Sequence, residues 1–231
     1  MKRYSHLFFD LDRTLWDFQT NSRQALQELY LTFELESRGI SNVHDFILKF
    51  EEINESLWAA YRMGNLHKRQ LRSMRFYKTM ESFGCKDERM CRSMGDMYIE
   101  ISPVKTGLFP NTHETLDYLA GNYRMHIITN GFEEVQHLKL KNAGLTPYFD
   151  LIMTSELASA RKPDPVIFQL AMQKVGASAP DALMIGDDLI ADIGGARSLW
   201  MDQVFFNPEG VLHEEEITYE IKDLIELKAF L

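Results

Sequence analysis

Two aspartates and a threonine, Asp10-x-Asp12-x-Thr14, follow directly on the apolar run Leu7-Phe8-Phe9. That run reads as a buried strand of a parallel sheet. Carboxylates at the end of such a strand are costly, because burial and mutual repulsion both disfavour their charged forms. A divalent cation removes the cost, and oxygen donors of this kind suit magnesium. A cation so held can in turn hold an anionic ligand. Three further stretches carry groups for the same chemistry: Thr129-Asn130-Gly131, Lys162-Pro163-Asp164-Pro165, and Gly186-Asp187-Asp188 with Asp192 beyond it. Together they supply carboxylates, a hydroxyl, exposed backbone N–H groups and a lysine. That set fits phosphoryl chemistry on a magnesium ion.

The elements that must position these groups alternate strand and helix. Arg124–Thr129, Leu151–Met153, Ala182–Gly186 and Gln203–Phe206 read as strands, the last being the final clear one. Helices are expected at Thr112–Ala120, around Val135 and Leu138, from Asp164-Pro165 through Val175, and over Leu189–Leu199. Asp164 is a natural N-cap with Pro165 at the first helical position. This alternation predicts an α/β fold, a doubly wound parallel sheet. In such sheets ligands sit beyond the carboxyl ends of the strands, where Asp10, Thr129 and Asp187 stand.

Between about Asn21 and Ile101 no strand signal appears. Ala25, Leu26, Leu29, Tyr30 and Phe33 recur at helical spacing, as do Val43, Phe46, Ile47, Phe50, Leu57 and Tyr61, and then Met90, Met94, Met97 and Ile101. An all-helical insert of about four helices is expected after the first strand. The boundaries so read are 1–15 with 102–231 for the sheet domain and 16–101 for the insert. Hinges are expected at Thr14–Gln19 and Ile101–Gly107. The passage Trp16–Asn21 reads as a turn, and the methionines of the insert as gap-fillers in a helical core.

The 231 residues allow one full domain with a smaller insert. A net charge of −9 argues against a nucleic-acid polymer or an anionic membrane as partner. It leaves room for a small-molecule phosphate ester. No apolar run reaches membrane length, and Met1-Lys2-Arg3-Tyr4-Ser5-His6 leads into a strand without a signal segment. Cys85 and Cys91 lack the spacing of a metal or redox pair. A cytoplasmic protein, monomeric or weakly homo-oligomeric, is expected.

In order and context, these four stretches resemble the motifs of the haloacid dehalogenase superfamily, with a helical cap inserted after the first. The opening Asp-Leu-Asp-x-Thr-Leu-Trp-Asp-Phe and the run from Ser155-Glu156 to Ile167-Phe168 are similar to its bacterial nucleotidases, which dephosphorylate pyrimidine and non-standard nucleoside monophosphates. The resemblance implies a magnesium-dependent nucleoside 5′-monophosphate phosphatase. It implies Asp10 as nucleophile and Asp12 as general acid and base. It implies magnesium on the Asp10 carboxylate, the Asp12 carbonyl and Asp187, with Asp188 and Asp192 as outer groups. Thr129 and the Asn130 and Gly131 amides would hold phosphoryl oxygens, and Lys162 would neutralise their charge.

Trp16 and Phe18 are candidates to stack on a base. Arg13, Arg62, Lys68 and Arg75 are basic candidates read mostly as solvated. A sugar-phosphate phosphatase or phosphosugar mutase fits the same residues. A receiver-type switch fits less well, because its acidic pair would stand at the first strand and its acceptor at a later one. A dehalogenase needs no acid on its leaving group and so has no use for Asp12.

Overall fold

A computed structural model describes residues 4–231. The expectation placed on Met1-Lys2-Arg3 lies outside the described residues. The chain divides into two compact units: one runs up to Phe18 and resumes over Thr106–Leu231, and the other is Gln19–Lys105.

The chain starts in strand β1, His6–Phe9, and then enters four helices: α1 Phe18–Thr32, α2 Val43–Arg62, α3 Lys68–Ser82 and α4 Glu88–Ile101. Helix α1 begins inside the passage expected to be a turn. The helical unit holds no strand and packs on its own core. Leu26, Phe46, Phe50, Phe76, Met80, Met94 and Tyr98 are all buried there. The Phe50 ring centroid lies 4.9 Å from that of Phe76 and 5.5 Å from that of Tyr98. Asn42 and Asp87 cap α2 and α4 by accepting from the His44 and Met90 amides. Arg75 is not solvated as expected: it is buried, with its guanidinium 4.5 Å from the Tyr98 ring centroid. Burial pushes its pKa down to about 10.

The second unit continues through α5 Thr112–Ala120, β2 Arg124–Thr129, α6 Glu133–Asn142, β3 Leu151–Thr154, α7 Ser155–Ala158, α8 Pro165–Val175, β4 Ala182–Gly186, a wide turn Leu189–Gly194, α9 Gly195–Arg197, β5 Asp202–Phe206 and β6 Tyr219–Ile221. The six strands of the described residues form one sheet in the order β3-β2-β1-β4-β5-β6, and every pairing is parallel. Strand side chains alternate between faces. Leu7, Phe9, Ile127, Leu183 and Ile185 therefore join one core, and Phe8, Ile128 and Met184 join the other. A sheet covered on both faces explains why β1 and β4 are buried at every position.

Two features depart from expectation. Strand β6 lies beyond the last strand read from sequence. It has only three residues, of which Ile221 alone is buried. The helix expected over Leu189–Leu199 opens as a π-type turn. The Asp192 and Ile193 amides both donate to the Asp188 carbonyl, at 2.9 and 3.2 Å.

Candidate active site

Strand order reverses around β1, and this is where an open α/β sheet leaves a crevice beyond its strand tips. Phe9 is in register with Ile127 on one side and Ile185 on the other. The chain therefore leaves β1 at Asp10 beside the ends of β2 and β4. The Asp10 amide still donates to the Ile185 carbonyl at 2.9 Å.

On the β4 side stands a buried group of charges. Lys162 Nζ donates to Asp10 Oδ1 at 2.5 Å, to Asp192 Oδ1 at 2.6 Å and to the Ile128 carbonyl at 2.7 Å. Its three ammonium hydrogens are thereby spent. One carboxylate oxygen from each of Asp10, Asp187 and Asp192 lies within 4.8 Å of the others. Asp10 and Asp192 thus share the buried ammonium, and Asp187 stands beside them, partly buried. Burial, reinforced by the Asp192 and Asp12 charges, pushes the Asp10 pKa up to about 7 against the pull of Lys162. Asp187 is lifted well above the usual carboxylate range by burial and by the Asp10 and Asp192 charges. Burial also raises Asp192, with Lys162 opposing. For Lys162, burial works toward a lower value, but Asp10 and Asp192 outweigh it and the net shift is upward. The Thr14 hydroxyl donates to Asp187 Oδ1 at 3.1 Å.

The wide turn after β4 is what delivers Asp192 to this group. Asp188 caps it, accepting from the Ile190 and Ala191 amides. Asp192 then folds back so that its Oδ2 accepts from the Asp188 amide at 3.0 Å. Gly186 must lack a side chain for this, since a Cβ there would collide with the Asp192 carboxylate.

On the β2 side, Asp12 is held by two residues of α6. Lys139 Nζ donates to Asp12 Oδ1 at 2.5 Å, and Gln136 Nε2 to Asp12 Oδ2 at 2.9 Å. The same Gln136 nitrogen donates to Thr129 Oγ1 at 2.7 Å. Sequence periodicity places Val135 and Leu138 on the inner face of α6. Instead the helix buries Gln136, Lys139 and Leu140 and leaves Leu138 45 % exposed. The signal that could have found them is the i, i+3 pair of long polar side chains one turn after a strand tip.

The remaining expected residues divide. Thr129 is buried at the end of β2, and its oxygen accepts from Gln136 and from the Gly131 amide at 3.1 Å. The Gly131 amide therefore points at Thr129, which corrects its expected place on a phosphoryl oxygen. Asn130 uses its side chain as a clamp: Nδ2 donates to the Lys162 carbonyl at 3.0 Å and Oδ1 accepts from the Lys162 amide at 2.8 Å. Trp16 is fully buried in the core of the sheet unit, with Lys139 Nζ 4.0 Å from its ring centroid. It has no exposed face to offer a base, and that expectation is corrected. Phe18 is half-buried against the same core, with the Arg13 guanidinium 5.4 Å from its ring centroid.

A model of the haloacid dehalogenase-like hydrolases matches residues 4–199. The HAD-hydrolase YfnB of Bacillus subtilis is 30% identical over 234 residues, covering 100% of this chain and 97% of that protein. Its crystal structure, bound to magnesium, superposes with a TM-score of 0.88 at 29% identity over 99% of this chain and 98% of that one. The pyrimidine 5′-nucleotidases PynA of Streptococcus pneumoniae and YjjG of Escherichia coli are each 29% identical. They align over 94% and 99% of this chain and over 91% and 98% of their own lengths. No helix among the described residues is long and apolar enough to cross a membrane. By its sequence match, its parallel sheet and the aspartates at its strand tips, the chain belongs to the haloacid dehalogenase-like hydrolases and is an enzyme of that family.

Proposed function

We propose that this hydrolase is a magnesium-dependent phosphomonoesterase acting on nucleoside 5′-monophosphates through an aspartyl-phosphate on Asp10. The observation that carries the reading is Asp10 itself. Lys162 holds its Oδ1, and its Oδ2 has no hydrogen-bond partner among the described residues. A carboxylate fixed by an ammonium with one oxygen unclaimed is arranged as a nucleophile.

Asp10 Oδ2 attacks phosphorus as the ester P–O bond breaks, and Asp12 delivers a proton to the departing oxygen. Asp12 then takes a proton from water as the water oxygen attacks phosphorus. The Asp10–phosphorus bond breaks, and inorganic phosphate leaves. Thr129 accepts two hydrogen bonds at its oxygen, which leaves the hydroxyl proton for a phosphoryl oxygen. Lys162 orients Asp10 and offsets its charge.

The donor set fits magnesium, because three clustered carboxylates against the Lys162 ammonium and the Arg13 guanidinium still leave an excess that a divalent ion complements. When bound by the Asp10 and Asp187 carboxylates and the Asp12 main-chain carbonyl, the ion supplies positive charge against the phosphoryl oxygens. Asp188 and Asp192 orient that group. Support for the nucleoside part comes from the pyrimidine 5′-nucleotidases among the relatives. Substrate choice is assigned to the helical unit, which the chain enters and leaves through 14–19 and 101–107.

The test is phosphate release from nucleoside 5′-monophosphates and sugar phosphates, with magnesium and with EDTA. Nucleotides are expected as the better substrates, EDTA should abolish release, and folded D10N should be inactive. Turnover by D10N overturns the mechanism. Release from sugar phosphates with none from nucleotides overturns the substrate class.

A further inference from the structure

Asp12 has to move a proton in both chemical steps, and both of its oxygens are anchored. Lys139, with 5% of its side chain exposed, is pinned over Trp16 and donates to one oxygen. Gln136, which has no exposed surface, donates to the other and to Thr129 through one nitrogen. A buried ammonium and a buried amide are expensive to place on a helix face, and apolar residues at both positions would pack α6 more simply. The approach also requires Gly131, since a Cβ there would overlap the Gln136 side chain. Each of these features serves one geometry, that of the Asp12 carboxylate.

We propose that Lys139 and Gln136 are positioning residues for the proton-transfer group Asp12, and that Gln136 fixes its distance from the phosphate-binding hydroxyl of Thr129. The inference rests on the phosphatase reading and deepens it. Both residues act through the Asp12 carboxylate. They act by removing rotational freedom from Asp12, so their loss damages the steps in which Asp12 moves a proton and spares substrate binding. Misplacement of a catalytic group by about 1 Å costs roughly 10²-fold in rate.

Leaving-group chemistry separates positioning from a structural role. With p-nitrophenyl phosphate, p-nitrophenolate departs with the electron pair of the P–O bond and needs no proton. Formation of the Asp10–phosphorus bond is then independent of Asp12. Hydrolysis of that bond still needs Asp12 to take the proton of the attacking water.

The experiment compares wild type, K139M, K139R and Q136M in stopped-flow and steady-state assays with p-nitrophenyl phosphate and a nucleoside monophosphate. K139M is expected to lose about 10²-fold in kcat on the nucleotide with KM within about threefold. On the aryl ester it should show a burst approaching one p-nitrophenolate per site, followed by slow turnover. K139R should recover part of the loss. Equal losses on both esters without a burst, or unchanged kcat in both K139M and Q136M, overturn the inference. Should K139M fail to fold by circular dichroism, Q136M carries the same readouts. Wild type that releases no phosphate from any ester overturns the phosphatase reading and this inference with it. Normal wild-type turnover with unaltered variants overturns this inference alone.

Discussion

The two sides of the β1 tip solve one electrostatic problem in opposite ways. Toward β4, Asp10, Asp187 and Asp192 crowd together; Lys162 pairs with the first and last, the Arg13 charge also favours ionised Asp187, and negative charge is left over. Toward β2, Lys139 faces only Asp12, and the account is level without help from outside. Taking charges from water costs several kcal/mol per ion unless they are matched. The β4 side thus carries excess negative charge that a cation would complement, whereas the β2 side is matched by the chain's own residues. On the proposed reading, the contrast assigns the metal to the β4 side. It also assigns different tasks to two aspartates that stand two positions apart.

The strongest way to break the contrast is D10N. On the present reading turnover falls by about 10⁴-fold or more, measured as phosphate release by protein with an unchanged circular dichroism spectrum. Next is D187N, which removes one carboxylate from the unbalanced side. The magnesium concentration for half-maximal activity should rise by about 10²-fold, while the same titration of K139M should match wild type. Equal shifts in the two variants would erase the distinction between the sides.

The glycines that clear room for each half offer a sharper comparison. G186A and G131A each force a methyl group into a packed polar side chain, costing roughly 1–3 kcal/mol in urea melts. G186A should weaken magnesium binding through Asp192. G131A should lower kcat through Gln136 at constant magnesium affinity.

The smallest expected effect is on stability against pH. Asp10, Asp187 and Asp192 all have raised pKa values in the folded protein. Folding then favours their protonated forms, and that contribution is complete below the ordinary carboxylate pKa near 4. It drains away as pH climbs, through about 7 for Asp10. The Tm of protein stripped of metal should fall by about 3–6 °C between pH 5.5 and 8, and added magnesium should flatten the slope. A metal-free Tm that holds steady or rises over this range would contradict it.

Much of the β4 side was legible before any coordinates. Asp10 and Asp187 each follow directly on an apolar run, and Lys162 sits in a distinctive Lys-Pro-Asp-Pro context. The sheet and the helical insert followed from a change of hydrophobic period. The β2 side was hidden because its key partners come from a helix interior. Gln136 and Lys139 are polar, so an apolar-face reading turns α6 the wrong way. What buries them is a carboxylate more than a hundred residues earlier in the chain. Trp16 misled for a related reason: an aromatic residue beside a motif serves a ligand or a core equally well, and only packing decides. Strand β6 was invisible because an edge strand with one buried residue has no period to read.

Asn130 extends this sheet by other means. Pairing between β2 and β3 stops at Thr129 opposite Thr154. One residue later the Asn130 carboxamide meets both the N–H and the C=O of Lys162, as a peptide group in an adjoining strand would. A side chain thus imitates main chain, and the lysine loop is stitched to the strand tip as though it were one more rung. Aspartate at this position keeps the acceptor and sets a second negative oxygen against a carbonyl. Leucine keeps the bulk and loses both stitches, so the loop that aims the ammonium would come away from the edge it now continues.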